Sequence, residues 1–155
     1  MDLNPDWEYV ADTVMGGVST GAVTREDVAG RAAARLTGRV SLDKNGGFIQ
    51  MAFDLDGGDV VDGSGFAGVE MAVYGNGAAY ELRLRTAQLS RPWQSFRAEF
   101  DAPPQWQTLH LPWTAFEPHR TDEALDPAQL RRMGVLAIGS EMEADISVAS
   151  IRFFH

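Results

Sequence analysis

The sequence of 155 residues predicts an all-β domain, a sandwich or a barrel. Apolar and polar residues alternate with period two along much of the chain. Turn signals rich in glycine and proline separate those stretches at short intervals. Only one segment carries the marks of a helical turn.

Strands are expected first over residues 32–42, 48–55 and 68–74, bounded by Asn45-Gly46, Gly57-Gly58 and Gly75-Asn76-Gly77. From Tyr80 the alternation is plain: Tyr80, Leu82 and Leu84 face one way, Glu81, Arg83 and Arg85 the other. It returns as Phe96, Ala98 and Phe100 against Arg97, Glu99 and Asp101, and after Pro103-Pro104 as Leu109 and Leu111 against Thr108 and His110. Asp126 as N-cap and Pro127 at the first helical position predict a short helix over residues 126–132. A strand over 133–138 follows, and Ile146, Val148, Ile151 and Phe153 close the chain with a change of phase near Ala149-Ser150 that reads as a bulge. No repeat, low-complexity tract or linker divides the chain, so residues 1–155 are expected to form one domain.

Composition narrows the function classes. Twenty-two acidic against 13 basic side chains give a net charge of −9, which repels nucleic-acid phosphates and anionic lipid. Without cysteine there is no disulfide, thiolate zinc site or cysteine nucleophile, which fits a reducing compartment. The acidic opening, Met1 to Glu8, is unlike a secretory signal or an arginine-rich transit peptide. No stretch approaches the ~20 apolar residues that cross a bilayer. These features predict a cytoplasmic protein that neither spans a membrane nor binds nucleic acid.

Several motifs raise chemistry and then lose their context. Gly17-Val18-Ser19-Thr20-Gly21 matches the G-x-S-x-G nucleophile elbow, but residues 22–28 do not begin an amphipathic helix. Gly75-Asn76-Gly77 opens like a dinucleotide motif, yet a strand follows where that motif needs a helix. Asp54, Asp56, Asp59 and Asp62 form an acidic run without the EF-hand ligand pattern, which leaves a solvated loop or a calcium site of another kind. His110, His119 and His155 lack zinc spacing. No catalytic residue, metal site or cofactor is expected.

The outward residues of the central strands are a better candidate surface. Arg83, Arg85, Arg97 and His110, with Glu81 and Glu99 beside them and Trp93 nearby, offer guanidinium donors, carboxylates and an aromatic face. Such a face suits a carbohydrate, a small ligand or a peptide. It also suits a solvated surface of cross-strand arginine–glutamate pairs.

Two glycine pairs stand out as well, in Asp12-Thr-Val-Met-Gly-Gly-Val-Ser19 and Asn45-Gly-Gly-Phe48. They mark tight turns or close backbone approach, with Val14 and Met15 as anchors and Asp12 or Ser19 capping backbone amides. The cost of Asp12→Ala is then about 1–2 kcal/mol, the scale of one buried hydrogen bond.

Together with Trp7, Gly38-Arg-Val-Ser-Leu42, Tyr74-Gly-Asn-Gly77, residues 80–85, Trp106 to Trp113, Phe116 and Ile151-Arg-Phe-Phe154, these segments resemble the family of complex I intermediate-associated protein 30. The resemblance runs in order along nearly the whole chain. It implies a jelly-roll β-sandwich of two antiparallel sheets, galactose-binding-domain-like, with at most one short helix. It also implies a non-enzymatic binding or assembly module whose partner is a protein, with a respiratory-complex subunit or assembly intermediate as the candidate. Under that reading Asp12, Ser19, Arg83, Arg85, Trp93, Arg97 and His110 are candidates for partner or ligand contact. Met15, Gly16, Gly17, Gly46, Gly47, Phe48 and Trp106 form the structural motif.

Overall fold

The computed structural model describes residues 1–155, the side chains of Met15 and Asn45 excepted. The strands in chain order are β1 (Glu8–Ala11), β2 (Thr20–Val28), β3 (Arg31–Val40), β4 (Phe48–Asp54), β5 (Gly68–Tyr74), β6 (Ala79–Thr86), β7 (Ser95–Asp101), β8 (Gln107–Pro112), β9 (Glu117–His119), β10 (Leu130–Ile138) and β11 (Met142–Phe154). They form a six-stranded sheet, β1-β4-β10-β6-β7-β9, and a five-stranded sheet, β2-β3-β11-β5-β8, with antiparallel neighbours throughout. This is the jelly-roll sandwich.

The period-two reading accounts for the central hairpin. Tyr80, Leu82 and Leu84 of β6 and Phe96, Ala98 and Phe100 of β7 enter the core, where they meet Leu36, Met71, Val135 and Phe153 from other strands. The bulge lies where the phase change put it, as a register shift between Val148 and Ser150. This long strand pairs with β3 on one side along its first half and with β5 on the other along its second. Met1 and Leu3 flank its end, through Phe153 N–H donating to the Met1 carbonyl and Leu3 N–H to that of Ile151.

Three strands carry no alternation and were not expected. β1 has four residues, and β2 lies at a sheet edge with most of its side chains exposed on both faces. β9 has three, and its Pro118, which has no N–H to donate, is tolerated because β9 is also an edge. The helix expected over 126–132 is corrected to one 3₁₀ turn, Pro127–Gln129. Asp126 caps it by accepting from the Ala128 N–H at 3.0 Å. It stops there because Leu130 already exchanges backbone hydrogen bonds with Val61 and opens β10.

Candidate functional site

The glycine-rich segments meet around one carboxylate. Asp12 follows β1 directly, begins a 3₁₀ turn (Asp12–Met15), and is fully buried. It accepts hydrogen bonds from Ser19 N–H at 3.0 Å, Ser19 Oγ at 2.5 Å, Gly47 N–H at 2.6 Å and Phe48 N–H at 3.3 Å. Ser19 Oγ in turn accepts from the Ser41 N–H at 2.8 Å. A Cβ on Gly17 would lie 2.5 Å from Asp12 Cγ, and one on Gly46 would lie 2.5 Å from Asp12 Oδ2. Both glycines are required by the close approach itself. Burial pushes this carboxyl up, but the bonds from Ser19, Gly47 and Phe48 outweigh it and hold the group below the ordinary carboxylate range. Burial and the charge of Asp12 both push the nearby Tyr9 hydroxyl up.

This arrangement is a lock between loops. Asp12 and Ser19 are inside it, out of reach of a partner or ligand. Ser19 Oγ is engaged by Asp12 and Ser41, and no histidine is among its partners. Val14 does not anchor the turn, since it is 74% exposed. The expectation for Met15 lies outside the described residues. Trp106 braces a different region: its Nε1–H donates to the Val28 carbonyl at 2.9 Å, and Arg31 lies 4.8 Å from its ring centre.

The accessible candidate is the outer face of the six-stranded sheet. Register places Glu8, Ala52, Gly134, Arg83, Arg97 and Glu117 in one row across it. Val10, Gln50, Leu136, Glu81 and Glu99 form the next row. The alternate residues of these strands fill the core, so both rows point away from it. The face is nevertheless recessed. Leu136 is 3% exposed, and the side chains of Glu81 and Arg83 are 14% and 17% exposed. Its floor is made of small residues, Ala52 and Gly134, where a Cβ on Gly134 would meet Gln50 Oε1 at 2.6 Å.

At the β6–β7 end of this face the charges are not arranged as cross-strand arginine–glutamate pairs, whereas at the other end Arg132 of β10 pairs with Glu8 of β1 and Asp54 of β4. Arg83 stands opposite Arg97, and Glu81 opposite Glu99. Arg83 Nε bonds Glu81 Oε1 at 3.0 Å along its own strand. Among the described residues no ion pair includes Arg97 or Glu99. His119 sits in register with Ser95 at the edge of the face. Burial lowers its pKa, and Arg83, Arg97 and Arg120 lower it further against the opposing pull of Glu81. Ser95 is buried and its Oγ has no hydrogen-bond partner.

Arg85 lies on the same face, but its guanidinium is spent on the following loop: Nε donates to the Gln94 carbonyl and Nη2 to that of Arg91. That loop presents Trp93, 57% exposed. His110 is elsewhere. It belongs to β8 in the five-stranded sheet, where its Nε2 is 2.8 Å from Glu70 Oε1. The structure therefore brings Arg83, Arg85 and Arg97 onto one face and separates His110 from them. Ser95, Gly134 and His119 were missed as members of that face. Only Gly134, a glycine inside an apolar strand, carries a sequence signal of close approach.

Among the described residues no three histidine, aspartate or glutamate side chains converge as a metal-ligand set. No helix there is long and apolar enough to cross a membrane.

Comparison with known proteins gives the family and the fold. The family model of complex I intermediate-associated protein 30 matches residues 2–148. No curated protein matches. Among solved structures, the chain is similar to a family 11 carbohydrate-binding module from Clostridium thermocellum in complex with a β-1,3-1,4-mixed-linked tetrasaccharide, with TM-score 0.77 and 11% identity over 99% of this chain and 94% of that one. A second structure of a family 11 module, from cellulosomal cellulase Lic26A-Cel5E of Clostridium thermocellum, gives TM-score 0.78 and 10% identity over 98% and 92%. The family 30 module of a cellulosomal cellulase from Clostridium thermocellum gives TM-score 0.60 and 12% identity over 87% and 91%. At such identities the likeness is one of fold.

Proposed function

The chain belongs to the complex I intermediate-associated protein 30 family, and from that premise we propose that it is a non-catalytic module that holds a protein partner during assembly of a respiratory complex. The recessed outer face of the six-stranded sheet is its contact surface. One observation carries this reading: Arg83 and Arg97 directly oppose each other there, and Arg97 has no carboxylate partner among the described residues. Like charges in direct opposition destabilise a sheet, and a local rule broken on an accessible, shaped surface points to a site of contact. The absence of enzymatic activity belongs to the same reading, supported by the engagement of Ser19 in the Asp12 lock. So does a cytoplasmic location, supported by the lack of cysteine.

The test is affinity purification with cross-linking from the cells that make the protein. The expected result is one recurrent partner, cross-linked to residues of β6, β7 or β9. Repeated recovery of no partner, together with tight binding of a purified small molecule, overturns the proposal.

A second reading, a carbohydrate- or small-ligand-binding module, is favoured by the fold shared with a structure that contains a tetrasaccharide. It predicts saturable binding to a glycan panel, abolished by Arg83→Ala or Arg97→Ala. Against it, the floor of the recess is Ala52 and Gly134 rather than an aromatic ring on which a sugar stacks. Flat curves across the panel dispose of it.

A further inference from the structure

We infer that the end of the recessed face formed by Arg83, Ser95, Arg97 and His119 is a carboxylate-binding site, and that the partner segment seated on it is an extended acidic stretch of protein. This rests on the protein-partner reading above and names the chemistry of that contact.

Eight of the thirteen cations form no ion pair among the described residues, but of these only Arg85 and Arg97 are half-buried, and Arg97, unlike Arg85, has no side-chain hydrogen bond either. Arg35 has carboxylates from both Glu26 and Asp145, and Arg132 has those of Glu8 and Asp54. Arg39 has Glu143, and Arg152 has Asp2 and Glu70. Arg83 is committed to Glu81. Arg97, half-buried next to the edge strand β9, has none among the described residues, although the chain carries 22 acidic against 13 basic side chains.

The groups around it share the same deficit. Arg83 stands directly opposite, and the charges of Arg83, Arg97 and Arg120 disfavour protonation of His119. Ser95, in register with His119, has a buried hydroxyl without a partner. Three glutamates face the cluster. Glu81 is already bonded to Arg83, Glu99 lies one row away, and Glu117 is in register with Arg97 without forming an ion pair. Register sets a guanidinium, a hydroxyl and an imidazole on neighbouring positions of this face, a donor set suited to a carboxylate, whose two oxygens the guanidinium fork matches.

A protein segment fits better than an acidic sugar. Trp93 stands exposed on the loop pinned by Arg85, two residues before Ser95. An exposed tryptophan beside arginines has the make-up of a protein-interface hot spot. The net charge of −9 also keeps acidic chains from adhering elsewhere on this surface, so binding is confined to the cluster.

The test measures fluorescence anisotropy with a fluorescein-labelled peptide of alternating glutamate and glycine. A glutamine–glycine counterpart, an oligogalacturonate and unlabelled copies of the chain serve as alternatives. The glutamate peptide is expected to bind the wild type and the glutamine peptide not. Arg97→Gln should weaken binding by about tenfold or more, the scale of one lost charge-assisted hydrogen bond. Arg39→Gln, on the other sheet, should leave it unchanged, and Arg97→Lys should recover part of it. Unaltered melting of Arg97→Gln shows that the loss is not one of folding. As an independent readout, addition of the peptide should raise the His119 pKa in an NMR titration.

Equal binding of the two peptides, or full binding by Arg97→Gln, overturns the inference. So does tighter binding of the oligogalacturonate, or self-association of the chain that Arg97→Gln abolishes. A native partner recovered equally by wild type and Arg97→Gln sinks this inference alone, whereas a wild type that recovers none sinks the protein-partner reading beneath it.

Discussion

Replacing Asp12 by alanine should destabilise the fold by roughly 3–5 kcal/mol, well above the cost of one buried hydrogen bond. Three backbone donors lose their acceptor: Ser19 N–H and Gly47 N–H, at 3.0 and 2.6 Å, and the more weakly bonded Phe48 N–H at 3.3 Å. Ser19 Oγ keeps an alternative in the Ser41 carbonyl at 3.2 Å, so its loss counts for less. Each stranded buried donor costs about 1–3 kcal/mol, and shared relaxation keeps the sum below simple addition. For a chain of this length 1 kcal/mol moves the melting midpoint by about 2–4 °C, so calorimetry at neutral pH should show a drop of roughly 8–15 °C. Asp12→Asn keeps the shape but turns an amide towards donors, and should cost roughly 2–3 kcal/mol. Its deficit should also depend on pH. The folded pKa of Asp12 lies below its unfolded value, so the stabilisation is present above pH ~4 and is lost as pH falls through the folded value. The gap between wild type and Asp12→Asn should hold from pH 7 to about 4 and close only in stronger acid. An Asp12→Ala protein melting within about 2 °C of wild type would refute the lock, as would an Asn deficit unchanged in acid.

Gly46→Ala should cost about 2 kcal/mol or more, because its methyl meets both Asp12 Oδ2 and the Ser41 carbonyl. Its effect should fall in an Asp12→Ala background, which a double-mutant cycle in urea will measure. Tyr80→Phe removes a hydroxyl that donates to Asn76 Oδ1 at 2.6 Å and accepts from Asp145 N–H at 3.0 Å. A loss of about 1–2 kcal/mol in urea melts is expected. His119 has a folded pKa below its unfolded one, so its contribution is complete above pH ~6.5 and declines as pH falls through that value towards the folded pKa. Wild type should therefore lose stability relative to His119→Gln between about pH 7 and 5, and parallel melting curves over that window would contradict this.

Much of the architecture was legible because burial on one face writes alternation into a strand. β6 and β7 show it plainly, and even the bulge in β11 left its phase change in the sequence. β2 did not, since an exposed edge strand has no buried face to mark. Period two also tells which way a side chain points but not to which sheet its strand belongs. His110 does face away from the core, yet on β8, in the other sheet. The opposition of Arg83 to Arg97 was hidden for a related reason, because register is set by the loop between the two strands rather than by either strand. The glycine pairs announced a close approach without naming what approaches: the carboxylate that Gly17 and Gly46 accommodate takes a bond from Gly47, 35 positions further along.

The open side of β2 has a consequence for life at high concentration. Nine residues end their sheet with one edge unpaired by any neighbouring strand, and such an edge is a template on which other chains can grow. Arg25, Glu26 and Asp27 stand along it as adjacent charges, and their desolvation opposes the addition of a further strand. The strand of which only Val23 packs on the core thus carries charges that oppose edge-to-edge association.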